Sequence, residues 1–414
     1  MKKRVVITGI GTINPVGHNI AETWENLIAG NSGIDRISKF EITDDYGSQI
    51  SGEIKNFNPQ DFFDRKRIKK LDPCTQLALI AAKEAFEDSG LNNFEYNPER
   101  AGVIMGSGIG GMLTFENEAK KFFEKGPKRV SPFFVPKMIV NIATAEVAIE
   151  YNCKAANFTV VSACASANHA LGTAFRTIQY GDADIIFSGG SEAAVTPLTV
   201  AGFSSMKALS TRNDDPKRAC RPFDKERDGF VMAEGAGILI LEELEHALKR
   251  NAKIYAEVIG FGASCDAFHI TAPAEKGEGG ARAAITALKD ANIKPEEVDY
   301  INAHGTSTPL NDKNETAMYR TVFGDYAYKL KINSTKSMVG HLLGAAAGVE
   351  AIVCCKTIET GKIHPTLNQE VPDPECDLNY VPNKGIEQDV NIALSNSLGF
   401  GGHNGVIIFR KYDK

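Results

Sequence analysis

The chain is 414 residues long, 43% hydrophobic and 24% charged, an ordinary globular composition in a chain too long for one hydrophobic core to organise. Its net charge of -6 excludes the dominant basic surface that a nucleic-acid binder needs, so no nucleic-acid partner is expected. Eight cysteines with no Cys-x-x-Cys pair, and no Cys/His cluster at zinc spacing, exclude a structural zinc site and point to free thiols in a reducing compartment.

Met1-Lys2-Lys3-Arg4 opens like a signal peptide. The apolar run Val5–Ile10 is too short for one, however, and Gly9, Gly11, Asn14 and Pro15 interrupt the chain at that point. No apolar run approaches the length of a membrane span, so a cytoplasmic protein without a membrane partner is expected. Val5-Val6-Ile7-Thr8-Gly9-Ile10-Gly11 predicts a strand closing in Gly-x-Gly. A helix is predicted from Cys74 to Ser89, started by Asp72 and Pro73 and stopped by Gly90. Ala101–Met105 then reads as a strand, followed by Gly106-Ser107-Gly108-Ile109-Gly110-Gly111. That run satisfies Gly-x-Gly-x-x-Gly, but a dinucleotide site also needs an acidic strand end about 20 residues on. Glu124-Lys125-Gly126-Pro127-Lys128-Arg129 is no strand end, and no cofactor is expected. The third strand reads as Val160-Val161-Ser162-Ala163-Cys164 and leads into a helix with Leu171-Gly172.

The pattern then recurs. Ala256-Glu257-Val258-Ile259-Gly260-Phe261-Gly262 repeats the first strand, and a helix from Gly280 to Ala291 stops at Asn292. Val298–Ala303 leads to His304-Gly305-Thr306, and Ile332–Lys336 passes through Gly340-His341 to a helix with Leu343-Gly344. The recurrence predicts an α/β duplication with halves at 1–252 and 253–414, whose strands feed reactive residues into facing loops. Stretches 44–72 and 113–137 fit neither repeat and read as insertions that cap the site or form interfaces.

Three residues close strand-like runs among small neighbours. Cys164, at a predicted helix start, is a candidate nucleophile whose pKa the helix end would lower. His304 and His341 stand at comparable loops. A helix start keeps an imidazole neutral, and a neutral imidazole donates an N–H to a developing oxyanion. A fourth element, Asn396-Ser397-Leu398-Gly399-Phe400-Gly401-Gly402-His403-Asn404-Gly405, brings backbone N–H groups close to a ligand and offers a second oxyanion donor beside that of Cys164. No Gly-x-Ser-x-Gly elbow supports a hydrolase.

These residues resemble the β-ketoacyl-[acyl-carrier-protein] synthases of the thiolase superfamily, most closely the elongating type. The resemblance runs from Val5-Val6-Ile7-Thr8-Gly9 to Gly399-Phe400-Gly401-Gly402. It includes Arg221-Pro222-Phe223-Asp224, Arg227-Asp228-Gly229-Phe230 and Glu234-Gly235-Ala236-Gly237. It implies a thiolase-like duplicated five-layered α-β-α-β-α fold, a homodimer, and a catalytic triad of Cys164, His304 and His341. It implies that Cys164 accepts an acyl group and that decarboxylative Claisen condensation with malonyl-carrier protein extends it by two carbons. Lys336 would act electrostatically, paired toward Glu350. Phe400 would supply an oxyanion N–H and gate the site. Thr306 and Thr308 would hold the phosphopantetheine arm, and Ile109, Phe134 and Phe203 would line the acyl pocket, Phe134 across the dimer. Asn302, Glu350, Ser395 and Asn396 resemble a buried structural cation site in some relatives, although no metal ligands are read from the sequence itself. The basic residues Arg65, Lys66, Arg67, Lys69, Lys70, Lys128, Arg129 and Lys207 would dock the acidic carrier protein.

His403, where many relatives have threonine, and Leu398, often phenylalanine, depart from the pattern. A degradative thiolase would carry a second cysteine in the Gly-rich loop, a starter-type synthase an asparagine in place of one histidine, and a chain-length partner no Cys164. A polyketide or aryl-polyene ketosynthase with the same triad remains as the alternative.

Overall fold

The computed structural model describes residues 2–413. Among these, ten strands form one mixed sheet. The first five are β1 (Val5–Ile13), β2 (Ala101–Gly106), β3 (Asn157–Val160), β4 (Ile185–Glu192) and β5 (Gly235–Glu243). The second five are β6 (Ala256–Cys265), β7 (Tyr300–Asn302), β8 (Lys331–Asn333), β9 (Ile392–Gly399) and β10 (His403–Arg410). Their order is β8-β7-β9-β10-β6-β1-β5-β4-β2-β3. The halves join at the centre, where β1 and β6 pair antiparallel from Val5↔Val258 to Ile7↔Ala256. Outward from that seam both halves run antiparallel, antiparallel, parallel, parallel. Each strand of the first half therefore has a counterpart five places on, which is the predicted duplication.

Four helices complete the layers: α1 (Pro73–Asp88), α2 (Ser166–Tyr180), α3 (Glu278–Ala291) and α4 (Ala346–Thr360). Helix α1 covers β1 and β5 on one outer face, and α3 covers β6 and β10 on the other. Helices α2 and α4 touch each other and strands of both halves, so they form the middle layer. Helix α4 is accordingly buried almost all round, as a central helix must be. The result is the five-layered thiolase-like α-β-α-β-α arrangement.

Each Gly-x-Gly has one physical reason. A Cβ on Gly9 or Gly11 would lie 2.2 Å from the carbonyl oxygen of Ala85 or Ala81, and one on Gly260 or Gly262 would lie 2.5 or 2.1 Å from that of Ala287 or Ala283. The outer helix thus rests directly on strand backbone. The residue between the glycines is held by that same helix: Ile10 N donates to Asp88 and Phe261 N to Asp290, each at 3.0 Å.

The predicted helix ends are close to those found. Asp72 caps α1 by accepting from Cys74 N at 2.9 Å, and α3 starts at Glu278, slightly before the predicted Gly280. Asn292 ends α3 in the left-handed conformation, with φ 53°. Two strands end earlier than predicted. Val298–Ala303 contracts to Tyr300–Asn302, and the strand before Cys164 ends at Val160. That strand, β3, forms one edge of the sheet, with Phe158 in it 42% and Val161 just after it 55% exposed. The stretch 44–72 contains the helix Arg65–Lys70, and 113–137 is mostly the helix Met112–Lys125, which exposes Phe122 and Phe123.

Candidate active site

Duplication brings equivalent loops together. Cys164 lies between β3 and α2, and His341 lies between their counterparts β8 and α4. The Gly106–Gly110 loop comes after β2, and His304 comes after β7. The β9–β10 hairpin adds Phe400. These loops meet over a cavity of about 470 Å³ lined by Cys164, His304, His341 and Phe400. Thr306 and Thr308 line it too, their hydroxyls 3.0 Å apart, as do Ile109, Phe203 and Lys207. Phe134 does not reach the cavity of its own chain; it sits half-buried in the short helix Phe134–Met138.

A strained turn presents Cys164. Ala163 has φ 50°, a left-handed conformation that costs an alanine about 1–2 kcal/mol. The turn is fixed by Ala165 N donating to Ser162 O at 3.1 Å and Ser162 N donating to Ser166 Oγ at 2.9 Å. The residue is partly exposed, yet protein crowded around the sulfur pushes its pKa up to about 11. The Lys336 charge opposes that rise, the Glu192 carboxylate adds to it, and the N–H groups of Phe400 and Cys164 oppose it. A helix start predicts a lowered pKa here; the net shift is instead upward, with burial its largest cause.

Both imidazoles are buried and held neutral. Burial, then the Lys336 charge, keeps His341 well below the usual histidine value, and His304 is lowered by burial, Lys336 and His341. The cause is thus burial with a neighbouring ammonium, in place of the predicted helix start. The rings cross edge-to-face with centroids 5.4 Å apart. Leu343 N donates to His341 Nδ1 at 3.2 Å, so Nε2 carries the His341 proton. Lys336 Nζ approaches His304 Nδ1 at 3.4 Å as a donor, which leaves the His304 proton on Nε2 as well. Lys336 is also ion-paired with Glu350, both nearly fully buried.

Two carboxylates that sequence reasoning missed hold the loops. Glu315 accepts from His304 N at 2.7 Å and Gly305 N at 2.8 Å. Glu192 accepts from the N–H groups of Gly108, Ile109 and Gly110 at 2.6, 3.2 and 3.2 Å, and from Gly344 N at 3.1 Å. The Gly-x-Gly-x-x-Gly loop is thus an anion nest filled by the protein's own carboxylate. An acidic residue closing the otherwise small, apolar run before Ala193-Ala194 was the available signal. The Arg227-Asp228-Gly229-Phe230 motif braces the same region: Arg227 donates to the carbonyls of Thr308 at 3.2 Å and Pro309 at 3.1 Å, and Phe230 stacks edge-on against His341.

Of the quartet Asn302, Glu350, Ser395 and Asn396, three place buried oxygens without a hydrogen-bond partner, Asn302 Oδ1, Glu350 Oε2 and Ser395 Oγ, and they are three of ten such oxygens among the described residues. Asn302 and Ser395 are register partners on β7 and β9, and Glu350 comes from α4, which packs on those strands. Orphaned buried oxygen acceptors fit a hard cation. Asn396 Oδ1 is already engaged by Tyr319 OH at 2.8 Å. Among the described residues, no group of three or more His, Cys, Asp and Glu is arranged to hold a metal.

Of the basic residues, Arg65, Lys66, Lys69 and Lys70 are exposed on the helix Arg65–Lys70, Lys128 and Arg129 on the turn Pro127–Arg129, and Lys207 at the cavity mouth. Arg67 is tied up, 2.6 Å from Glu150 and 4.0 Å from Glu146.

Comparison with known proteins agrees with this geometry. Residues 2–247 match the β-ketoacyl synthase N-terminal domain and residues 255–370 the β-ketoacyl synthase C-terminal domain. The chain is 51% identical over 411 residues to 3-oxoacyl-[acyl-carrier-protein] synthase 2 of Staphylococcus aureus (strain COL), with 99% of each chain covered. It is 50% identical over 411 residues, with the same coverage, to the protein of that name from Synechocystis sp.. Among solved structures, a β-ketoacyl synthase from Burkholderia phymatum superposes with TM-score 0.92 at 32% identity, covering 99% of this chain and 100% of that one. A type II polyketide ketosynthase, bound to a hexaketide and in complex with its acyl carrier protein, superposes with TM-score 0.92 at 37% identity over 100% of both chains. Matched in both halves and aligned end to end with such relatives, the chain belongs to the β-ketoacyl synthase family.

Proposed function

We propose that this chain is an elongating β-ketoacyl-[acyl-carrier-protein] synthase of fatty acid synthesis, with Cys164, His304 and His341 as its catalytic residues. One observation carries the reading: two buried, neutral imidazoles, each with its proton on Nε2, line one cavity with a nucleophilic thiol. Residues 1–252 supply the thiol and residues 253–414 both imidazoles.

In the first step the Cys164 sulfur attacks the acyl thioester while its proton passes to the departing carrier sulfur. The Cys164 and Phe400 N–H groups hold the oxyanion, and the carrier thiol leaves with the proton. In the second, the bond between the malonyl methylene and its carboxylate breaks and carbon dioxide departs. The electron pair becomes an enolate whose oxygen accepts the two Nε2 protons as hydrogen bonds. Loss of one such donor costs about 2.7–4 kcal/mol of transition-state stabilisation. In the third, the enolate carbon attacks the acyl-cysteine, a carbon–carbon bond forms, and the carbon–sulfur bond breaks to release the Cys164 thiolate, which takes a proton from solvent to return the thiol. Burial and the Lys336 charge keep both imidazoles unprotonated, Thr306 and Thr308 hold the phosphopantetheine arm, and Phe400 gates the cavity. Ile109 and Phe203 line the acyl pocket, and Phe134 belongs to it from across a homodimer. Asn302, Glu350 and Ser395 would hold a cation that balances their buried oxygens and stiffens the strands behind Lys336.

The acidic carrier protein docks on Arg65, Lys66, Lys69, Lys70, Lys128, Arg129 and Lys207, with Arg67 contributing less because of its internal pairing. The cytoplasm suits this reading; among the described residues no helix is long and apolar enough to cross a membrane. A polyketide ketosynthase is the second reading, favoured by the structural neighbour at 37% identity. The 50–51% identity to the fatty-acid enzymes outweighs it.

Intact-mass measurement after mixing with acyl-carrier proteins of several chain lengths tests the proposal. Saturated acyl adducts on Cys164, absent from Cys164→Ala, are expected. Condensation by Cys164→Ala, or acceptance of polyketide intermediates in preference to acyl chains, would overturn it.

A further inference from the structure

The two N–H groups offered to an acyl oxyanion come from different segments, Cys164 from the turn after β3 and Phe400 from the β9–β10 hairpin. They act together only if those segments keep a fixed separation, because donors must lie about 2.7–3.1 Å from the oxyanion. Close packing supplies part of that constraint: a Cβ on Gly399 would stand 2.8 Å from Ser162 O and 3.2 Å from Cys164 N. One side chain spans the same gap. His169, on α2, has Nδ1 2.7 Å from Ser162 Oγ and Nε2 3.1 Å from Asn404 O. A carbonyl oxygen accepts and cannot donate, so Nε2 carries the proton and Nδ1 accepts from the Ser162 hydroxyl. Ser162 belongs to the nucleophile turn, and Asn404 is the register partner of Leu398 in the hairpin that carries Phe400. The Asn404 amide extends the chain of contacts, donating to Asp266 Oδ1 at 2.7 Å and Gly402 O at 3.2 Å. Phe261 and His403 stand edge-to-face to the His169 ring and fix its plane.

We propose that His169 is a positioning residue for condensation, a strut that braces the nucleophile turn against the Phe400 hairpin so that the Cys164 and Phe400 N–H groups converge on one oxygen. It touches no substrate and acts through Ser162 and Asn404. The inference rests on the reading of Cys164 as the acylated nucleophile.

The test compares two reactions at the same sulfur. Acyl transfer from an acyl-carrier protein needs the oxyanion donors, whereas alkylation by iodoacetamide displaces iodide at a methylene and makes no oxyanion. His169→Phe keeps a ring but loses both hydrogen bonds, and His169→Gln can still accept and donate. Single-turnover acylation followed by intact mass is expected to slow about tenfold or more in His169→Phe, in line with the ~100-fold cost of an ångström of misplacement. Alkylation should stay within about twofold of the unsubstituted protein, because no donor geometry enters it. His169→Gln should recover part of the acylation rate. Unchanged acylation in His169→Phe would overturn the strut, as would acylation and alkylation falling together. A parent protein that takes no acyl group on Cys164 overturns the condensing-enzyme reading as well; failure confined to the variants overturns the strut alone.

Discussion

At the scale of single residues, charge and burial decide how the site works. Burial pushes the Cys164 thiol up to about 11. It is therefore protonated at neutral pH, and thiolate grows with pH well beyond the usual cysteine value of about 8.5. Iodoacetamide alkylation of Cys164, read by mass, should keep rising about tenfold per pH unit from pH 7 to 10; a plateau near pH 8.5 would contradict it. Lys336 acts on the thiol and both imidazoles in one direction, since its positive charge lowers the pKa of Cys164, His304 and His341. In Lys336→Met both imidazole pKa values rise toward the ordinary 6.5, so the imidazoles protonate at higher pH than before. The acid limb of malonyl decarboxylation, followed by carbon dioxide release, should move upward, and an unmoved limb would refute the electrostatic role. The thiol and imidazoles were legible in the sequence because each closes a strand-like run among small residues. Glu192 and Glu315 were not, because an acidic residue reads as surface until the fold buries it beneath N–H groups. The direction of the Cys164 shift was missed for the same reason: a helix start is visible locally, whereas desolvation is a property of the assembled loops.

At the scale of elements, the two Gly-x-Gly strands and their helices behave as one motif used twice. The absent Cβ atoms let the carbonyls of Ala81 and Ala85, and of Ala283 and Ala287, lie on strand backbone. Gly11→Ala and Gly262→Ala should each destabilise the protein by about 1–3 kcal/mol, the usual cost of forcing a methyl group into a packed interface. Denaturant midpoints measure this, and a neutral Gly262→Ala would show that helix and strand are separable there. Helix boundaries were readable because their stop signals are local: Gly90 and Asn292 take the left-handed conformation at the ends of α1 and α3. The roles of the glycine-rich segments were less readable. A glycine pattern states that something comes close, and the fold decides whether that is a helix, as at Gly9 and Gly11, or a carboxylate, as at the Gly106–Gly110 loop.

At the scale of the whole molecule, the repeat in the sequence announced the duplication but not the strand order, and the order determines which edges stay open. The β3 edge is open, and Asn157-Phe158-Thr159-Val160 carries neither a charge nor a proline to block pairing. Lys66, Lys69 and Lys128 lie exposed elsewhere on the chain and suit an electrostatic encounter. Carrier-dependent turnover should therefore weaken as salt rises, and Lys128→Glu should raise the KM for carrier protein while Arg67→Ala changes it little; salt-independent kinetics would refute the dock. We propose that the open edge is the seam of a homodimer. An unpaired, apolar strand is a template for a second copy, and a two-fold axis through it would extend the sheet across both chains while covering Phe158 and Val161. The same strand runs directly into the turn that presents Cys164, so the partner would stiffen the nucleophile as well as bury surface. Light scattering should give twice the 44.8 kDa chain mass for the unsubstituted protein, and Phe158→Asp, which places a charge in that seam, should shift it toward the single-chain mass and slow acylation of Cys164. A dimer that survives Phe158→Asp with acylation intact would place the interface elsewhere.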